Sequence, residues 1–582
     1  MVELNVQSDV TPTHDPSLER RYADFETLVD AIEYAAKGVR GVNFYDARGN
    51  VKEVITWKEV RDRAEQIGRK LVGMGFEKGD RIALIAETTA NFVAFFVGCQ
   101  YASVLPVPLP LPTSFGGKEG YVSQLRMQME SCKANGLMAP AFMDEIVAQA
   151  TDGLDLRFSG DYAALMAFED EGEPVLPTAD DLAYLQYSSG STRFPHGVSV
   201  THRSLLSNTH GMGYHGVHLE ENDRCVSWLP FYHDMGLVGT LLTTMTCQVS
   251  VDFIPTEEFA RRPLSWLRVL SANKGTITYS PTFGFDICTR RAAMRSSALE
   301  GLDLSSVRVA GIGAEMIRPD VMKEFQETFG QIGFSYNAFL PSYGLAECTL
   351  GVSFGEVGKG IEVDLIEEAA LTGDRHVLVN GSGDTRMREV VNCGRLLPEY
   401  EIEIRDEGET PLPDRNVGRV YLRGTSVMRE YFNDPETTRA VLSPEGWLDT
   451  GDMGYMKEGC IYIVGRAKDM IIVNGRNHWP QDIEWAAEQV DGLKKGDVAA
   501  ISIPGENAEE VPLILAQCRI SDAGERVKLI EALKKQIQAE TGVNCLIELV
   551  PPKSLPRTSS GKLSRTKARN QYMSGHLQAI AS

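Results

Sequence analysis

LAYLQYSSGSTRFPHGV, residues 182–198, is the stretch on which the reading of the fold turns. Its first six residues are uncharged and, Gln186 apart, apolar or aromatic, the pattern of a short buried strand. They run directly into Ser188-Ser189-Gly190-Ser191-Thr192-Arg193, where four hydroxyls and a glycine share one tight loop. Such a loop offers backbone N–H and side-chain O–H donors to phosphate oxygens. It is no Walker A loop, because GxxxxGK[ST] is absent. Taken alone, a Ser/Gly run is more often a solvated turn, and the rest of the chain has to decide.

Outward from this loop, the first 350 residues alternate helical and strand-like segments, the texture of a layered α/β protein. Thr56-Trp57-Lys58-Glu59 has capping-box spacing and precedes Val60, Ala64, Ile67 and Leu71 on one helical face, with Gly73 and Gly75 as stops. Arg81–Ala86 and Val307–Ile312 read as further strands. Residues 88–117 carry no charge and are long enough to span a bilayer. Pro106, Pro108, Pro110 and Pro112 break any helix there, so a buried helix running into an extended segment is expected instead. From about 350 to 392 the chain becomes rich in Gly and charge, which reads as an elaborated surface insertion. Beyond 466 lies a compact αβ pattern. Its strands are expected at Val498–Ile503, Ile514–Arg519 and Cys545–Val550, and its helix near 525–541, with Ile530, Leu533 and Ile537 on one face and Gly542 as its stop. The expected fold class is therefore α/β: a large multi-lobed N-terminal part, 1–465, and a small mobile C-terminal α+β domain, 466–582.

Composition narrows the function. The 582 residues are 43% hydrophobic and 24% charged, as in a globular protein. The formal net charge of −22 argues against a surface that embraces nucleic acid through its phosphates. The ten cysteines are scattered without a CxxC, which argues against a disulfide framework or zinc-thiolate site and for a reducing, cytoplasmic setting. His210, His215 and His218 match no zinc spacing. No transmembrane segment and no leader peptide are expected.

Further motifs follow the hydroxyl loop in order. VRVAGIGAE (307–315) places Gly313-Ala314-Glu315 after a strand. Ser342-Tyr343-Gly344-Leu345-Ala346-Glu347 follows, then GWLDTGD (446–452), GRAKDMI (465–471) and LPRTSSGK (555–562). The ordered set resembles the adenylate-forming enzymes, the superfamily of acyl-CoA synthetases, luciferases and adenylation domains. WLPFYHDMGL (228–237), the YGLAE form at 343–347, GRNHWPQDIE (475–484) and the insertion after Glu347 resemble the fatty acyl-AMP ligases in particular.

That resemblance implies an enzyme that joins a fatty acid to ATP with Mg²⁺, releases pyrophosphate and passes the acyl group to the pantetheine thiol of a separate acyl carrier protein. It implies that Ser188, Ser189, Gly190, Ser191 and Thr192 hold phosphates and that Glu347 binds Mg²⁺. Tyr343 would stack on adenine beside Ser342, Gly344 and the Gly313–Ala314–Glu315 backbone. Asp452 would accept from the ribose with Arg466 beside it, and His233 would lie near the substrate carboxylate. Lys562 would bridge carboxylate and α-phosphate as charge develops, and Lys468 would be the hinge of the C-terminal lid. Each residue also has an ordinary reading: Glu347 as a surface acid, Asp452 as a turn-former, Tyr343 as core, Lys562 as one charge of a basic tail. Arg193 and His196 stand where most relatives carry Gly and Lys, so a non-catalytic nucleotide-binding protein remains an alternative. An acyl-CoA synthetase is another. An acyl tunnel is expected around Trp228, Phe231 and Phe283.

Overall fold

The computed structural model describes residues 10–112, 117–188, 196–367, 387–473, 476–505, 510–558 and 561–580. Among these, a fourteen-stranded sheet dominates. Its middle is six parallel strands: Gly41–Tyr45 (β1), Arg224–Ser227 (β2), Ser250–Phe253 (β3), Ile277–Ser280 (β4), Val309–Ile312 (β5) and Phe339–Gly344 (β6), in the spatial order β1-β3-β2-β4-β5-β6. Strands β2, β3 and β5 are buried along their whole length, the state of parallel strands covered on both faces. Past β6 the sheet turns antiparallel through Gly351–Phe354, Met387–Leu396 and Cys460–Arg466 to Tyr400–Arg405 at its edge. One face is closed by the helices Thr282–Met294 and Pro319–Phe329, where Phe285, Phe325 and Phe339 meet edge to face at 5.0–6.1 Å.

The expected capping box is present. Thr56 Oγ1 accepts from the Glu59 amide, and the Glu59 carboxylate accepts from the Thr56 amide at 2.8 Å, opening the helix Trp57–Gly73. Its buried face packs on the helix Ala90–Tyr101 at two glycines. A Cβ on Gly68 would fall 2.4 Å from Tyr101 Cβ, and one on Gly98 2.6 Å from Ile67 Cγ2. After that buried helix, the proline-rich segment is extended as expected and forms a strand, Leu105–Leu109. The strand lies at the edge of a second, four-stranded sheet, beside Arg81–Ile85. An edge strand needs no outward N–H donors, so Pro106 and Pro108 fit there.

One sequence expectation needs correction. The segment from 350 is not surface insertion at its start: Gly351–Phe354 is a fully buried strand between β6 and Met387–Leu396. Val363–Glu367 then pairs antiparallel with Met387–Val391, and residues 368–386 lie outside the described residues. In the helix Ala523–Thr541, Leu533 and Ile537 are buried and Ile530 packs partly buried against the same core, with Leu529 added one four-residue step before Leu533. That helix ends as expected at Gly542, with φ of 70°, and covers the sheet Val498–Pro504, Glu510–Gln517 and Leu546–Val550. Among the described residues no helix is long and apolar enough to cross a membrane. All ten thiols are free.

Candidate active site

At the carboxyl ends of β4, β5 and β6 the chain opens into one cavity with a polar mouth and an apolar limb. Strand order reverses between β2 and β4, and crevices at such switch points are where open α/β sheets bind ligands. The mouth is lined by Ser188, His233, Asp234, Gly313, Ala314, Ser342, Tyr343, Gly344, Glu347, Arg466 and Lys562. Ten of these eleven are residues the motif order singled out; Asp234 is the addition.

Each is held by its own element. Ser188 ends the strand Leu182–Tyr187, and its amide donates to the His196 carbonyl at 3.0 Å. Ser189, Gly190, Ser191 and Thr192 lie outside the described residues. Ala314, just past β5, takes φ of 70°, which turns the chain across the cavity. Tyr343 on β6 donates its hydroxyl to Asp452 Oδ2 at 2.8 Å, while Arg466 Nε donates to Asp452 Oδ1 at 3.0 Å. Asp452 and Arg466 are cross-strand partners, so the sheet register itself sets this contact. Asp452 is 5% exposed and stands behind Tyr343, outside the cavity lining. Glu315 is likewise outside it: its carboxylate accepts from the Phe283 amide at 2.9 Å, at the start of the helix Thr282–Met294. Lys468 sits in the turn Ala467–Asp469, also outside the lining, its ammonium pKa lowered by burial and by Arg466.

Lys562 arrives from the far end of the chain on a tight turn. Thr558 N donates to the Lys562 carbonyl at 2.8 Å, and Lys562 N to Thr558 Oγ1 at 3.1 Å. Burial pushes the Lys562 ammonium below the ordinary lysine range, against the pull of Asp234 and Glu315. Among the described residues no carboxylate pairs with its Nζ, so the charge is held near anions without being neutralised. Burial raises the Asp234 carboxyl, but His233 and Lys562 outweigh that and leave it below the usual range. His233 Nδ1 is 2.7 Å from Asp234 Oδ1, which fixes the ring.

Glu347 lies in the turn Ala346–Cys348 and is half-buried. Its Oε1 accepts from the Tyr431 hydroxyl at 2.8 Å. Among the described residues no group of three or more His, Cys, Asp or Glu forms a closed metal cage. A single carboxylate beside a phosphate-sized cavity is the donor set that suits Mg²⁺, a hard ion held by one or two carboxylates together with substrate phosphates and water.

The apolar limb is walled by Met212, Val217, Leu219, Val249, Leu350 and Phe354, with Gly239 at its side. Two wide π-helical segments, Gly211–Gly216 and Met235–Leu242, contribute Met212, Met235 and Gly239. Their glycines let the turns widen against neighbours: a Cβ on Gly236 would lie 2.2 Å from the Pro230 carbonyl oxygen. Trp228, Phe231 and Phe283, where the tunnel was expected, do not line the cavity. Trp228 stacks on Phe259 at 3.8 Å and Phe231 packs between Phe92 and Phe253, so both are core. Asp234 was legible as part of the 228–237 signature. Tyr431, Met212, Val217, Leu219, Val249, Leu350 and Phe354 carry no local signal, since tertiary packing alone brings them to the site.

Comparison with known proteins agrees with this geometry. A family model described as AMP-binding enzyme matches residues 35–432. A putative acyl-CoA synthetase of Caulobacter vibrioides is 44% identical over 575 residues, covering 98% of this chain and 99% of its own. A long-chain-fatty-acid–AMP ligase of Mycolicibacterium smegmatis is 30% identical over 627 residues, covering 98% of each. Among solved structures, a fatty acyl-adenylate ligase from work on the E. coli and L. pneumophila enzymes superposes with a TM-score of 0.91 at 42% identity, covering 96% of this chain and all of its own.

Proposed function

This chain belongs to the AMP-binding enzyme family, and from that premise we propose that it activates a fatty acid with ATP to an acyl-adenylate for transfer to a carrier-bound pantetheine thiol. The observation that carries the reading is the cavity that joins a polar mouth bearing Lys562, Arg466 and Glu347 to an apolar limb. A long aliphatic acid with its carboxylate at the Lys562 end satisfies both halves at once. Burying its methylenes contributes about 0.8 kcal/mol each.

The chemistry is an in-line displacement. A carboxylate oxygen attacks the α-phosphorus, the α–β bridging bond breaks and pyrophosphate leaves with the electron pair. Two anions meet in this step, so the protein's task is to supply positive charge and donors without a nucleophile of its own. Lys562, unpaired among the described residues, is placed to bridge the carboxylate and α-phosphate oxygens. Ser188 begins the phosphate loop, and His233, fixed by Asp234, borders the acid. Tyr343 presents its ring to adenine, and Asp452, outside the cavity lining, positions Tyr343 and Arg466 through its two oxygens. Glu347 would hold Mg²⁺, which supplies charge neutralisation of the phosphates.

Residues 466–582 act as a lid that carries Lys562 and turns about Lys468. In the second half-reaction the thiol sulfur attacks the acyl carbonyl and AMP leaves. The carrier is a separate chain, and the ten free thiols suit a reducing cytoplasm.

The test is a product assay with ATP, Mg²⁺ and fatty acids of graded length, with and without CoA and with a pantetheinylated carrier. Acyl-AMP that persists with CoA and is consumed by the carrier is the expected result. Rapid acyl-CoA formation would favour the synthetase reading, which the name of the Caulobacter relative supports. Nucleotide binding with no product would leave a non-catalytic protein.

A further inference from the structure

The segment 426–434 is stitched to two parts of the site at once. Ser199 N donates to the Glu430 carbonyl at 3.0 Å and Phe432 N to the Gly197 carbonyl at 2.7 Å, which ties it to the strand leaving the hydroxyl loop. Met428 N donates to the Glu347 carbonyl at 2.7 Å, and Thr349 Oγ1 to the Ser426 carbonyl at 2.9 Å, which ties it to the turn that carries Glu347. From its middle, Tyr431 reaches in and donates to Glu347 Oε1 at 2.8 Å. Tyr431 is 7% exposed. The His196 ring lies against it, centroids 4.9 Å apart, and is anchored by Asp434, whose Oδ2 is 3.1 Å from His196 Nδ1.

We infer that Tyr431 is a positioning residue for divalent cation binding: it claims one oxygen of Glu347 and thereby aims the other at the metal–nucleotide complex. The inference rests on the adenylating reading of the site. Glu347 stands on a short turn with no other side-chain partner among the described residues, so its carboxyl torsions are free unless the phenol holds them. Mg²⁺ tolerates little departure from octahedral geometry, and a carboxylate that wanders binds it weakly. Partners that orient a metal ligand are worth about 10–100-fold in metal affinity. His196 and Asp434 brace the phenol from behind, so the element ending the phosphate loop and the metal carboxylate are set by one segment.

Tyr431→Phe removes a single oxygen and keeps the ring contact with His196. The expected result is a rise of about 10-fold or more in the Mg²⁺ concentration for half-maximal acyl-AMP formation, with KM for the fatty acid unchanged. A direct readout is Mn²⁺ binding with α,β-methylene-ATP, followed by the electron paramagnetic resonance of free Mn²⁺, which should weaken by a similar factor. Glu347→Gln is the comparator. If Glu347→Gln weakens Mn²⁺ binding and Tyr431→Phe does not, the positioning role is overturned. If neither does, Glu347 is no cation ligand and the adenylating assignment of this site fails with it. A Tyr431→Phe enzyme that is slower with unchanged Mg²⁺ dependence also overturns the inference.

Discussion

Arg318→Met tests the proposed lid through one of its two buried ionic contacts with the rest of the chain among the described residues, the other being Arg388–Asp482 at 3.2 Å. Arg318 Nη1 is 2.6 Å from Glu488 Oε2, across 170 residues of sequence, and its guanidinium lies 5.1 Å from the Trp485 ring. The two side chains are 15% and 5% exposed, and the other Glu488 oxygen accepts from the Gly496 amide. Removing one partner of a buried pair costs about 3–5 kcal/mol, because the other charge is left unpaired. Partial exposure of Arg318 puts this case at the low end, about 3 kcal/mol, or roughly 100-fold in the closed-to-open ratio. The neighbouring Lys495–Glu324 contact, at 2.8 Å but half in solvent, adds at most about 1 kcal/mol and cannot compensate. On the proposal that residues 466–582 close as a lid to bring Lys562 to the cavity it lines here, acyl-AMP formation should fall by up to roughly 100-fold, while transfer from preformed acyl-AMP to a pantetheine thiol holds or rises. The two half-reactions are measured separately, by single-turnover acyl-AMP formation and by thioester formation from synthetic acyl-AMP. Burial raises the Glu488 carboxyl against the pull of Arg318, so without Arg318 it takes up a proton more readily. The adenylation defect should therefore shrink as pH falls. Equal loss in both half-reactions, or a defect that deepens at low pH, would refute this reasoning.

Two further perturbations address the limb and the mouth. A side chain at Gly239 must enter the limb, since its Cβ would already be 3.0 Å from Leu350 Cδ2; Gly239→Leu should cost long acids about 3 kcal/mol in kcat/KM, four displaced methylenes at about 0.8 kcal/mol each, and leave short acids nearly untouched. A uniform loss across chain lengths would show that the limb is not the acyl site. Lys562 loses its proton below the ordinary lysine value because burial outweighs Asp234 and Glu315, so kcat/KM for adenylation should fall as pH rises through that lowered pKa. Lys562→Ala should abolish this alkaline limb and lower the rate by about 100–1000-fold; persistence of the limb in the variant would assign it to another group.

Much of this site was legible because its polar residues sit in local patterns at the ends of strands. Gly313, Tyr343 and Glu347 lie at or just past the ends of β5 and β6, and a parallel sheet necessarily gathers the ends of its strands on one side, while Ser188 and Arg466 end antiparallel strands that tertiary packing brings to the same mouth. The capping box at Thr56 and the stop at Gly542 are local for the same reason: each is decided within a few residues by hydrogen bonding or backbone conformation. The apolar limb was misplaced because composition does not distinguish a cavity wall from core. Trp228 and Phe231 are aromatic and lie within the 228–237 signature, yet they are core, whereas Met212 reaches the cavity from a widened π-helical turn and Val217 and Leu219 from the chain just after it.

What the sequence by itself determined is the order of motifs, the strands and helices that carry them and the kinds of group available to the mouth. Those follow from short-range periodicity and turn chemistry. Tertiary structure alone decided which groups touch. Tyr431 meets Glu347 across 84 residues, and Arg318 meets Glu488 across 170. Asp452 is turned toward Tyr343 rather than into the cavity, and Gly351–Phe354 is buried despite its glycine-rich surroundings. The physical reason is the same in each case: such contacts are set by sheet order and register, long-range properties that no local window of the chain contains.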